Sequence, residues 1–188
     1  MSDLETRLAA ILRGAPGLMG VLAVARDLAL PDWLVFSGAI YQPVFNHLTG
    51  RPPDYGVKDY DLAYFDPDTS WEAEDAVIRR VAAAFEPPLR AMVEVRNQAR
   101  VHLWFEDHFG EAYPPLAETA EALARFTSPA FAVGARLEAN GDLAVVAPFG
   151  LGDLFAMRIR PNPLRPSPGL ARTIAGAKTR WPEITVEA

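Results

Sequence analysis

The sequence predicts a mixed α/β (α+β) fold: a mixed sheet flanked by helices, extended at its C-terminal end by a β-hairpin and a helix. Three observations predict it. Short apolar runs alternate with segments whose apolar residues recur at helical spacing, so strands joined by helical crossovers make some strand pairs parallel. Residues 131–137 and 143–147 are apolar runs joined by Ala139-Asn140-Gly141-Asp142, and Asn-Gly between strand-like runs is a strong hairpin signal. Half of the 188 residues are hydrophobic and 22% are charged, which supplies one full core and excludes a disordered chain.

Leu4, Leu8, Ile11 and Leu12 mark an amphipathic first helix that ends at Gly14 and Pro16. A second helix covers 18–30, and Trp33 to Ser37 is the first strand. Ile40, Val44, Phe45 and Leu48 define the buried face of a third helix, with Pro43 placed in its first turn, where proline is tolerated. The turn residues of 50–56 form a loop, and 59–66 is the second strand. Thr69 to Glu72 has capping-box spacing before a helix that Pro87-Pro88 stops. Residues 91–96 alternate as a third strand with Met92, Glu94 and Arg96 on one face. Asn97 caps a helix running towards Gly110, in which Trp104 is expected in the core, and another helix spans 117–126. Residues 151–159 are compatible with helix or strand, and Gly150 to Asp153 with a turn or helix cap. The proline-rich 161–168 is a linker, and 170–181 a closing helix that packs back or mediates self-association. The expected organisation is one domain over 1–188, with its core at about 18–160 and the linker and helix at 161–188.

A net charge of -6 argues against general nucleic-acid or anionic-membrane binding, and the absence of cysteine removes disulfides, thiolate metal sites and cysteine nucleophiles. The N-terminus lacks an apolar signal core and no window holds 18 unbroken apolar residues, so the expectation is a cytoplasmic protein with no membrane partner. Walker, Gly-x-Gly-x-x-Gly and Gly-x-Ser-x-Gly motifs are absent.

The chemistry concentrates in Trp33 to Asp66. On a strand, Asp59 and Asp61 point to one face, where like charges repel unless a cation joins them. Carboxylate oxygens suit Mg²⁺ or Mn²⁺, and the small-residue turn Ser37-Gly38-Ala39 lets backbone amides approach a phosphate. Lys58, Arg96 and Arg100 are candidate phosphate contacts, whereas His47 and His108 have no partner at ligand spacing and are expected to be structural or surface residues.

Ser37-Gly38-Ala39, the pair Asp59 and Asp61, and Glu94 as a third acid resemble the polymerase-beta-type nucleotidyltransferase superfamily. The strings SGAIYQPVFNHLTGR, DYDLAYFD, VEVRNQARVHLW and APFGLGDLF are similar to the uncharacterised bacterial nucleotidyltransferase-like family. The resemblance implies a minimal nucleotidyltransferase fold. It also implies a metal site at Asp59, Asp61 and Glu94, and a nucleoside triphosphate as donor whose terminal phosphates meet Ser37, Gly38 and Ala39. The chain departs from the superfamily in reading Ser-Gly at the turn and in a longer gap from Ala39 to Asp59. The expected reaction moves a nucleoside monophosphate to an unknown hydroxyl acceptor, for which the acidic total disfavours RNA against a small molecule or a protein. The alternatives are a non-catalytic nucleotide- or partner-binding module on the same fold, and one half of a two-protein system.

Overall fold

A computed structural model describes residues 2–167 and 169–187; Met1, Ala188 and Pro168, the last residue of the predicted linker, lie outside them. Helices α1 (Asp3–Arg13) and α2 (Pro16–Leu28) lead into β1 (Leu34–Phe36), α3 (Gly38–Leu48), β2 (Tyr60–Tyr64), α4 (Trp71–Ala84) and β3 (Val93–Asn97). A 3-10 turn (Gln98–Leu103), the short α5 (Phe105–Phe109) and a second 3-10 stretch (Thr119–Arg125) follow. The chain then forms the hairpin β4 (Gly134–Leu137) and β5 (Leu143–Val146), α6 (Gly152–Phe155), β6 (Arg158–Ile159), α7 (Leu170–Arg180) and β7 (Thr185–Val186). The five-stranded sheet has the order β3-β2-β1-β4-β5, with β2 parallel to β3 and the other neighbours antiparallel; β6 and β7 form a separate parallel pair.

Alternation along the strands divides the side chains between two faces. Val35, Leu62, Tyr64, Val95 and Ala135 enter the main core, where α1 to α4 supply Leu8, Leu22, Ile40, Phe45 and Val81. The opposite face carries Leu34, Phe36 and Ala63 beneath Leu116, Ala122 and Leu123 of the covering segment. Among the described residues no single helix is long and apolar enough to cross a membrane, and the bent pair α1–α2 owes its apolar character to this packing.

Several expectations are corrected by packing. Pro43 lies inside α3, not in its first turn, although it does not end the helix. Ser70, not Thr69, caps α4 by accepting a hydrogen bond from the Ala73 amide, because α4 begins at Trp71 and its N-cap position is residue 70. The helix expected from Asn97 to Gly110 is interrupted at Trp104, whose φ of -132° breaks the ladder, and 119–125 winds as a 3-10 helix. Trp104 is 36% exposed rather than in the core. Residues 151–159 hold both a helical turn and a strand. The proline-rich stretch is a packed strap: buried Asn162 donates to the carbonyls of Ala124 and Phe126, and its side-chain oxygen accepts from Leu164.

The closing helix packs back on the core. Trp181 is fully buried, its indole N–H donates to Asn46 Oδ1 at 2.9 Å, and Asn46 Nδ2 donates to the carbonyls of Pro53 and Tyr55. Arg180 reaches the Gly56 carbonyl and Arg51 pairs with Glu183. The C-terminal segment thus ties down the loop that delivers Asp59 to the sheet. Removing the largest buried side chain of this latch also orphans Asn46, so Trp181→Ala is expected to lower stability by roughly 3–5 kcal/mol in urea unfolding.

Candidate functional site

The acids stand where three strands share one end of the sheet. The β2–β3 register sets Asp61 opposite Glu94, and the β1–β2 register sets Phe36 opposite Asp61. Asp59, two residues before Asp61, precedes the first residue of β2, so backbone alternation and cross-strand register bring the three carboxylates to one edge. Asp59 and Glu94 are exposed and Asp61 is half-buried. Burial, then the neighbouring charges of Asp59 and Glu94, push the Asp61 carboxyl up to about 6, against a smaller opposing pull from Arg96.

The turn after β1 is built unusually. Ser37 has φ 62° and ψ -132°, a conformation that glycine adopts at little cost and a residue with a Cβ does not. It precedes Gly38 at the start of α3, and the hydrogen bonds of the turn begin with the Ile40 and Tyr41 amides, which both donate to the Ser37 carbonyl. The amides of Gly38 and Ala39 belong to the first turn, where a helix has no acceptors of its own to offer them. A Cβ on Gly38 would lie 2.6 Å from Gln42 Nε2, so the side chain of Gln42 folds back over the turn. Gln42 Oε1 is buried with no hydrogen-bond partner among the described residues.

The remaining candidates separate. Lys58 is exposed beside Asp59. Arg96 follows Glu94 on the same face and, among the described residues, donates only to the Val95 carbonyl. Arg100 is turned away from this edge: it is salt-bridged at 2.8 Å to buried Glu74, donates to Thr69 and lies over the Trp71 ring, which is a structural assignment. Asn97 does more than cap a turn, since its side chain also bonds the amide and carbonyl of Asp66. His47 and His108 are exposed.

Alternation in the sequence did not reveal a cavity of about 620 Å³ next to the acids, between the sheet face, the first turn of α3, the covering segment and the start of α7. Ser37 and Arg96 line it, as do Tyr41, Trp104 and Phe105, with Arg125, Arg165 and Arg172 from later in the chain. No local pattern marked the last three, because the cavity they line is assembled from segments far apart in the chain.

The family model described as nucleotidyltransferase matches residues 23–186, and the chain belongs to that family. A solved structure whose NMR analysis reveals a CCA-adding enzyme head domain is similar over 97% of this chain and 95% of that one, with a TM-score of 0.75 and 22% identity. That likeness shows the fold. No curated protein matches the chain.

Among the described residues no three His, Asp or Glu side chains are grouped closely enough to hold a metal ion as they lie. The donor chemistry nevertheless fits Mg²⁺, which takes one or two carboxylates and completes its shell with substrate phosphates and water. The crowded charge at Asp61 is the kind a bound cation relieves.

Two outcomes follow. The folded Asp61 carboxyl titrates near 6 against 3.8 when unperturbed, so the folded state holds this proton more tightly. The stability it contributes is lost as pH rises from about 4 through about 6. Asp61→Asn is therefore expected to raise stability by roughly 1–3 kcal/mol at pH 7.5, a gain that shrinks towards pH 4 in parallel thermal melts. Ser37→Gly relieves the turn and is expected to add about 1 kcal/mol, read as a melting point higher by roughly 2–4 °C.

Proposed function

We propose that the protein is a metal-dependent nucleotidyltransferase that moves a nucleoside monophosphate from a nucleoside triphosphate to a hydroxyl acceptor. The observation that carries this reading is the register that sets Asp61 opposite Glu94, with Asp59 two residues before Asp61, at the end of the sheet beside the Ser37-Gly38 turn, in a chain of the nucleotidyltransferase family. Asp59 and Asp61 would hold Mg²⁺ or Mn²⁺, which would supply charge neutralisation for the triphosphate. The Gly38 and Ala39 amides and the Ser37 hydroxyl take terminal phosphate oxygens. The acceptor oxygen forms a bond to the α-phosphorus while the bond to the β-phosphate's bridging oxygen breaks. Pyrophosphate leaves with that electron pair, and the hydroxyl proton passes to Glu94.

Release of pyrophosphate with Mg²⁺, each of the four nucleoside triphosphates and a panel of small hydroxyl compounds measures the reaction. Asp59→Asn and Asp61→Asn are each expected to lower the rate roughly a hundredfold or more. Rates unchanged in both variants overturn the assignment. Nucleotides that raise the melting point without any pyrophosphate release would instead identify a binding module on this fold.

A further inference from the structure

The cavity beside the acids carries positive charge from three elements, while the donor contacts proposed above touch its wall only at Ser37. Arg96, Arg125 and Arg172 all line it, from β3, the covering segment and α7, and none is in a salt bridge among the described residues. Arg165, which also lines it, is by contrast held by Glu111 and by the Arg125 carbonyl. Three guanidinium groups with no carboxylate partner among the described residues surround one cavity whose acid, Glu111, is taken by Arg165, and such a cavity suits an anion from outside. Asp59, Asp61 and Glu94 line no part of the cavity, so a donor held at those acids reaches it only where its terminal phosphates meet Ser37. Aromatic rings make up much of the remaining wall: Tyr41 packs at 4.6 Å from Phe131, and Phe105 at 4.5 Å from Tyr113. Flat apolar walls with a few cationic groups suit a ring attached to an anionic group, and about 620 Å³ is the size of a small-molecule site.

We infer that this cavity is the acceptor subsite, and that the acceptor is a small phosphate monoester carrying a planar ring. The inference rests on the transferase reading above. The ring lies among the aromatic side chains, and the phosphate is taken by Arg125 and Arg172. Ser37 and Arg96, common to the cavity and the acid edge, mark where the ester's hydroxyl meets the metal-held donor. The strap that crosses Asn162 and Arg165 forms one wall, so the subsite exists only when the C-terminal segment is packed.

Calorimetric titration of the four ribonucleoside 5′-monophosphates, in chelator and without metal, tests it, with inorganic phosphate as the ring-less control. At least one monophosphate is expected to bind more tightly than phosphate. Arg125→Gln/Arg172→Gln should weaken that binding tenfold or more, while Asp59→Asn/Asp61→Asn leaves it unchanged. Arg172→Gln alone, on an exposed position of α7, gives the same direction if the double variant does not fold. Adding Mg²⁺ with a non-hydrolysable triphosphate should leave the monophosphate bound. Absence of binding, or binding indifferent to the arginines, overturns the inference. Displacement by the triphosphate also overturns it and assigns the cavity to the donor. Monophosphate binding without any transfer would leave the subsite standing and sink the transferase reading instead.

Discussion

The register of β2 between β1 and β3 is the constraint on which everything else rests. It puts Tyr60, Leu62 and Tyr64 into the main core and Asp61 on the other face, opposite Phe36 and Glu94. A slip of one residue would bury both aspartates and expose two tyrosines and a leucine, so hydrophobic burial holds the carboxylates in a place that their own repulsion disfavours. The face that enters the main core supplies the free energy, and the end of the opposite face carries the acids.

Departures from local rules gather around that edge. Ser37 occupies a glycine conformation and Asp61 is pushed up to about 6 by burial and like charges; among the described residues, Gln42 Oε1 is buried without a partner and Arg96 is in no salt bridge. The turn at Ser37, the crowded charge at Asp61 and the buried Gln42 oxygen each cost stability in the free protein. Elsewhere the same residue types are satisfied: Glu74 takes Arg100 and the Asn97 amide, and buried Asp153 takes Arg158 and Arg160. This contrast, more than any single motif, distinguishes groups kept for ligands from groups kept for the fold.

The C-terminal segment completes the structure in two places. Trp181 and Arg180 fix the loop before Asp59, while the strap through Asn162 and Arg165 leads into the wall of the cavity. A stretch whose proline content reads as a linker is therefore part of the framework. Its backbone lacks regular partners and is held by side-chain hydrogen bonds instead, which composition does not display.

The sequence by itself determined what backbone periodicity dictates. Helices follow from apolar spacing, the hairpin from Asn140-Gly141, and the shared face of Asp59 and Asp61 from the two-residue repeat of a strand. These depend on neighbours in the chain. Only the tertiary structure decided that Glu94 lies beside Asp61, that Arg100 serves Glu74 while Arg96 stays free of carboxylates, and that Trp104 leaves the core for a cavity wall. An arginine's role is set by the carboxylate it meets, and a cavity by the surfaces left uncovered. Both are products of contacts between residues far apart in the chain, which no local pattern encodes.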